Sequence, residues 1–103
     1  MSLHSRTLSA GRLWGVIVTF EQAGDCLKWH THTPANAHVT IVARGRVIME
    51  TGTPNAAAGY DVSHTYELAE GHCIDTEAGI YHQFVAMTDN ARIFNLAKEP
   101  KDI

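Results

Sequence analysis

The sequence predicts an all-β protein, either a β-sandwich or a small barrel, and three observations support this fold class. Short runs rich in Val, Ile, Thr, Tyr and Phe recur along the chain, and Gly, Asn, Asp and Pro separate them. No segment shows a sustained helical period of apolar residues. Many short strands within 103 residues are typical of sandwiches and barrels, in which all strands share one core.

Eight runs of the sequence are predicted to form strands. They are 12–20, 26–32, 38–45, 46–50, 63–71, 72–76, 82–88 and 91–98. Gly45, between two apolar runs, predicts a tight hairpin, and Thr-Asp-Asn at 88–90 predicts another. Segment 51–60 is the longest irregular piece and is expected to be a loop between two hairpins. The N-terminal residues, with His4 among them, are expected to be mobile.

Length and composition indicate one domain, 1–103, with a core at about 12–98. The net charge of −3 provides no basic surface, so nucleic acid is not an expected partner. The longest apolar run, 13–20, is too short to cross a membrane, and the N-terminus has no apolar signal-peptide core. We therefore expect a cytoplasmic protein without a membrane partner. Cys26 and Cys73 form no CxxC pair and are expected to be free thiols.

Three of the seven histidines lie within KWHTHTPANAH, residues 28–38. Alternate residues of a strand share a face, so His30 and His32 could offer two imidazoles to one ion. His38 begins the next predicted strand and returns to the level of this pair if the two strands are antiparallel neighbours. His82 is a candidate fourth ligand. From spacing alone, the stretch is either part of a metal site or a polar loop rich in histidine.

Two segments of the sequence resemble the paired motifs of the cupin superfamily. Residues 24–45 resemble the first motif, and residues 71–84 resemble the second. The matching residues are Gly24, His30, His32 and Gly45 in the first motif and Gly71, Ala78, Gly79 and His82 in the second. The resemblance implies a minimal single-domain cupin, a double-stranded β-helix or jelly-roll barrel of two antiparallel sheets.

The sequence departs from the cupin pattern at three positions. His38 stands where the family usually has glutamate, and the gap from His32 is one residue longer than usual. Glu77 replaces a proline and Ala86 an asparagine, which affects a turn and a peripheral hydrogen bond. Neutral imidazole in place of carboxylate leaves the ion's charge uncompensated, which favours an anionic, oxygen-donating ligand. The alternative is that His38 points away and leaves a three-histidine site.

The resemblance thus implies one divalent transition metal, bound by His30, His32, His38 and His82, with Fe, Ni, Mn and Zn not distinguished. The imidazoles must be neutral to bind it, so metal affinity is expected to fall as the pH drops through about 6–7.

Three further residues are candidates for the pocket. Lys28 could hold an acidic substrate or extend to the barrel rim. Phe84 is expected to form an apolar wall, and Tyr81 could donate a hydrogen bond near the mouth. His64 and His72 match neither motif and are expected to be solvated or hydrogen-bonded strand residues.

Three functions remain open from the sequence. The favoured one is a metal-dependent enzyme, of dioxygenase or isomerase type, that acts on a small oxygenated metabolite; its catalytic residues are not identified. The second is a module that binds a sugar or another small molecule without turnover, and the third is a barrel stabilised by its metal. A homodimer is expected because a small open barrel leaves sheet edges, and because run 12–20 is apolar on both faces.

Overall fold

Nine antiparallel β-strands make up most of the chain that the structure describes. The computed structural model describes residues 3–10, 13–31, 38–76 and 79–97. In chain order the strands are β1 (Leu3–Ala10), β2 (Leu13–Phe20), β3 (Cys26–His30), β4 (His38–Arg44), β5 (Arg46–Pro54), β6 (Tyr60–Ala69), β7 (Cys73–Thr76), β8 (Tyr81–Ala86) and β9 (Ala91–Ala97). Within these ranges no helix is long and apolar enough to span a bilayer.

The strands form two sheets that enclose a single core. The five-stranded sheet has the order β1-β2-β9-β4-β7, and the four-stranded sheet has the order β3-β8-β5-β6. One cluster of buried apolar side chains draws on both sheets, with Val18, Val42 and Ile93 from the first and Val47 and Phe84 from the second. The prediction of an all-β jelly-roll barrel of two antiparallel sheets is confirmed.

Strand alternation decides which side chains reach this core. In β8 the burial pattern alternates strictly, so that His82, Phe84 and Ala86 are buried and the residues between them are half-buried. Burying a Phe or Met side chain contributes about 1.5–3 kcal/mol each. Phe84 and Met49, which face each other in the β5–β8 register, therefore stabilise the centre of the four-stranded sheet.

The two predicted tight hairpins, at Gly45 and at 88–90, are wrong. β4 and β5 lie in different sheets, as do β8 and β9, so the chain crosses from one sheet to the other at both places. The two crossings are adjacent, as a hydrogen bond between them shows: the backbone N–H of Arg46 donates to Thr88 Oγ1 at 3.1 Å. Gly45 has a φ of +73°, a value that glycine adopts at little cost in crossings as well as in hairpins.

The predicted loop at 51–60 is largely part of a hairpin. β5 and β6 remain paired as far as Pro54 and Tyr60, with a register shift between Thr51 and Gly52. Asn55 closes the turn, because its Oδ1 accepts hydrogen bonds from the backbone N–H groups of Ala57 and Gly59. Because Asn55 satisfies backbone groups of the turn, the five residues 55–59 are enough to connect these two long strands.

The N-terminal segment, which was expected to be mobile, is strand β1. It pairs with the whole of β2, from Leu3 opposite Phe20 to Ala10 opposite Leu13. His4 Nε2 also contacts the Glu21 carboxylate at 2.5 Å. The sequence of β1 is mostly polar because its strand is at a sheet edge and its residues 4–7 are exposed.

Candidate functional site

The site is organised around His82, a histidine in the barrel interior. Its side chain is 1% exposed and shares the inward face of β8 with Phe84, whose ring it meets edge-on with centroids 5.8 Å apart. Its Nδ1 lies 3.0 Å from the backbone carbonyl oxygen of Ile80. A carbonyl oxygen can only accept, so Nδ1 carries the proton, and in neutral His82 the basic nitrogen is Nε2.

His30 meets His82 from the neighbouring strand. The two residues are directly opposite in the β3–β8 register, next to an irregularity of β3 between Leu27 and His30. Their rings are 4.4 Å apart between centroids and inclined by 63°. His30 Nδ1 lies 2.7 Å from the carbonyl oxygen of Lys28, so in neutral His30 the basic nitrogen is again Nε2.

The two histidines thus share one arrangement, in which each Nδ1–H donates to the carbonyl two residues earlier in the chain. Backbone carbonyls that fix the tautomer and ring orientation are a usual accompaniment of metal-binding histidines. A half-buried and a buried imidazole, each with Nε2 as its basic atom, match the donor chemistry of Zn, Fe, Ni or Cu sites.

The other two predicted ligands are described only in part. His32 lies outside the described residues. His38 begins β4, where its backbone pairs with Thr76, and its side chain is outside what the structure describes. β4 pairs with β9 and β7 and not with β3, so the premise that the strands of His30 and His38 are neighbours is wrong. Among the described residues, no group of three or more His, Cys, Asp or Glu could hold a metal ion.

A cavity of about 510 Å³ opens beside His82. This volume falls within the range of about 300–1,000 Å³ usual for small-molecule sites. Its lining residues come from both sheets and from the segment before β8. They are Met49, Thr51, Gly52 and Thr53 of β5, Ser63, His64 and Tyr66 of β6, Ile74 and Asp75 of β7, then Ile80 and His82.

Two of these lining residues, His64 and Asp75, were not assigned to the site from the sequence. His64 was expected to be an ordinary strand residue, as was His72, whose Nδ1 accepts from the backbone N–H of Ala69. His64 lies outside both motifs, and Asp75, although within the second, is not one of its matching residues. Only the pairing of β6 with β5 and of β7 with β4 brings them to the cavity.

The three predicted pocket residues have different positions. Phe84 is buried beneath His82. Lys28 is exposed and is not among the described residues that line the cavity. Tyr81 is half-buried, and its ring lies 5.6 Å from that of Tyr60, which is stacked on Trp29 at 4.5 Å.

Both cysteines are free, as expected, and neither belongs to the cavity lining. Cys26 Sγ donates to Gln83 Oε1 at 3.3 Å, and Gln83 Nε2 donates to Glu50 at 2.6 Å. Burial raises the pKa of the Cys26 thiol; nearby Lys28 opposes this shift and Glu50 adds to it. Cys26 is thus held as a protonated thiol at neutral pH.

No model of a known protein family matches this sequence, and no curated protein is significantly similar to it. Solved structures are similar to its fold. KdgF from Halomonas sp. superposes with a TM-score of 0.74 at 17% identity, covering 97% of this chain and 82% of that one.

Two cupin proteins give similar agreement. A cupin superfamily protein from Desulfitobacterium hafniense has a TM-score of 0.70 at 10% identity, over 95% of this chain and 78% of its own. A cupin-2 domain containing protein from Shewanella frigidimarina has a TM-score of 0.67 at 16% identity, over 93% and 80%. The chain therefore has the cupin fold.

Proposed function

We propose that this cupin-fold protein binds one divalent transition metal through His30, His32, His38 and His82, next to a cavity that holds a small oxygenated molecule. The contact between His30 and His82 is the observation that carries the proposal. Two imidazoles from paired strands meet at 4.4 Å, and a backbone carbonyl orients each of them. Two donors are too few for a stable site, so the proposal requires His32 and His38.

The position of His38 in the chain is compatible with this role. His38 is two residues before Thr40 and four before Val42, and these two are among the most buried residues of β4. The five-stranded sheet that contains β4 faces the sheet that contains His30 and His82. A ligand from β4 would therefore complete the set from across the barrel.

We further propose that the protein is an enzyme of dioxygenase or isomerase type. A bound metal would supply Lewis acidity to an oxygen-bearing substrate, or would activate dioxygen if it is iron. The protein's part is to hold that substrate against His82. Met49, Ile74 and Ile80 offer apolar contacts to it, and hydroxyl side chains of β5 and β6 orient it.

A non-catalytic binding protein is the second candidate. Residues 61–67 of β6, which include one wall of the cavity, are all exposed. A described wall this open favours rapid exchange of a ligand with solvent, whereas catalysis on reactive intermediates usually requires a closed, dry site. Consumption of dioxygen by the iron-loaded protein, in the presence of catechols or β-diketones, would favour the enzyme over the binding module.

Metal content tests the site itself. Protein purified without added metal should contain about one equivalent by inductively coupled plasma mass spectrometry, and His30→Ala and His82→Ala should contain almost none. His38→Ala should bind more weakly and retain three ligands. His4→Ala is the matched control, because His4 is exposed and pairs with Glu21 at 2.5 Å away from the cavity. Stoichiometric metal in both His38→Ala and His82→Ala would reject the site.

A further inference from the structure

The cavity beside His82 has an unusual set of polar groups. Its lining includes four hydroxyls, one carboxylate and one imidazole in addition to His82 itself, belonging to Thr51, Thr53, Ser63, Tyr66, Asp75 and His64. Hydroxyls can donate and accept hydrogen bonds, and a carboxylate accepts only. The set is therefore suited to a ligand with many hydroxyl groups of its own.

The charge of the cavity is equally informative. No Lys or Arg is among its described lining residues, and the one charged side chain there is the carboxylate of Asp75. Lys28, the cation of β3 that could have held an acidic ligand, is exposed and does not line the cavity. A carboxylate or phosphate placed here would lose hydration without gaining a cationic side chain as partner, and Asp75 would repel it and offset attraction by the proposed metal.

We propose that the ligand of this cavity is an uncharged, polyhydroxylated molecule of the sugar class, selected by Asp75 and His64. This deepens the proposed function and rests on it for the location of the site. It differs from the sequence-based expectation of an anionic ligand, which considered the metal alone. The Asp75 carboxylate, and the lack of a Lys or Arg among the described lining residues, oppose binding of an anion.

Asp75 and His64 approach the ligand from different sheets. Asp75 belongs to β7, an edge strand of the five-stranded sheet, and His64 to β6, an edge strand of the four-stranded sheet. Asp75 accepts charge-assisted hydrogen bonds from hydroxyl groups, which are about twice as strong as neutral ones. A molecule that spans both residues must present hydroxyls on opposite sides, as a pyranose ring does.

The apolar part of the lining suits the remaining surface of such a ring. The rings of His64 and Tyr66 are nearly parallel, inclined by 22° with centroids 6.1 Å apart. Ile74 and Ile80 also line the cavity, and the latter is 43% exposed. Flat rings and aliphatic groups pack well against the C–H faces of a sugar, whose hydroxyls point outward around its rim.

Matched glycosides test the proposal by isothermal titration calorimetry on the protein as purified. Methyl glucoside and methyl glucuronide differ at C6 in charge, as do methyl galactoside and methyl galacturonide. In each pair the neutral member should bind about tenfold more tightly or better, since unfavourable burial of one charge costs at least this much. Tighter or equal binding of the charged members, or no binding of either neutral glycoside, would overturn the proposal.

Variants assign the preference to residues. Asp75→Asn should weaken binding of the neutral glycosides about tenfold and reduce the difference in affinity between the neutral and charged members of each pair. Asp75→Lys should make the charged member of each pair bind more tightly than the neutral one. His64→Phe, which keeps a ring but loses both nitrogens, should weaken both neutral members. Glu67→Gln is the control, because Glu67 also belongs to β6 but pairs with Arg46 outside the cavity. Unchanged binding by Asp75→Asn and His64→Phe would overturn the assignment.

Metal content measured on the same samples separates this proposal from the preceding one. A protein that contains metal but prefers the charged glycosides would overturn the ligand class alone. A protein without metal that still prefers the neutral glycosides would overturn the metal site and support the ligand class. Circular dichroism of each variant verifies that it is folded.

Discussion

Replacing Gly45 by Ala should destabilise the protein far more than the same replacement of Gly71. Both glycines lie in the left-handed region, with φ of +73° and +87°. A Cβ on Gly45 would be 2.3 Å from Thr88 Oγ1 and 3.3 Å from the Cα of Ala91, whereas nothing lies within 4 Å of one on Gly71. Both variants therefore bear backbone strain, and the steric clash affects Gly45→Ala alone.

The size of the effect follows from these contacts. A left-handed conformation costs a residue with Cβ about 1–2 kcal/mol, which is the whole expected cost of Gly71→Ala. At Gly45 the Thr88 side chain must also move, which breaks the hydrogen bond it accepts from Arg46, and the buried backbone of Ala91 is overpacked. These added costs bring Gly45→Ala to about 3–6 kcal/mol.

Urea denaturation followed by circular dichroism measures both variants. A loss of this size is a large fraction of the roughly 5–15 kcal/mol by which domains are stable, so Gly45→Ala should be partly unfolded near 37 °C. Gly45→Ala/Thr88→Ala should recover part of the loss, since the nearest clashing atom is removed. Equal unfolding midpoints for Gly45→Ala and Gly71→Ala, or no recovery in the double variant, would show that the sheet crossing is not constrained as described.

Three other outcomes are expected. Thr40→Val should lower the unfolding free energy by about 1–3 kcal/mol, because the buried Asn95 oxygen loses the hydroxyl that donates to it at 2.5 Å. Thr40→Val/Asn95→Leu should lower it less, since neither partner is then left unsatisfied. A larger loss in the double variant than in Thr40→Val, measured by urea denaturation, would contradict this. Burial raises the pKa of Cys26 and lowers its thiolate fraction, so iodoacetamide at about pH 8 should modify the exposed Cys73 first; peptide mass spectrometry that finds Cys26 labelled first would refute it. We also propose a homodimer through the exposed sheet edges, for which light scattering should give twice the chain mass of 11.3 kDa; the monomer mass at micromolar protein would reject it.

The sequence predicted where most strands lie but not which strands pair. Runs of β-prone residues between turn residues identify a strand locally, and they located β2, β3, β4, β8 and β9 to within a few residues. Partner choice depends on contacts that are distant along the chain. A glycine with positive φ suits a hairpin and a sheet crossing equally, so Gly45 could not distinguish them.

The same limit explains the two segments that were misassigned. Pro54 suggested a loop, yet it ends the β5–β6 ladder opposite Tyr60, a position where the missing N–H of proline is tolerated. β1 lacks apolar alternation because residues 4–7 are exposed, and its strand conformation depends on pairing with β2. Local sequence carries little information about such edge strands.

The candidate site was predictable where its residues come from the motifs. His30 and His82 occur at motif positions and meet in the structure at 4.4 Å. The cavity proposed to hold a ligand could not be predicted, since His64 lies outside both motifs and Asp75, although within the second, is not one of its matching residues. Their positions in the cavity lining depend on the approach of two sheet edges, which no spacing in the sequence encodes.

The division between central and edge strands has a consequence for how such a site can change. His82 belongs to β8, an interior strand, and contacts the core through Phe84, so its replacement disturbs packing. His64 and Asp75 belong to edge strands and are exposed, and substitutions of such residues usually alter stability by no more than about 0.5 kcal/mol. The groups proposed to choose the ligand can therefore vary at little cost in stability, whereas His82, a proposed metal ligand on an interior strand, is tied to the core.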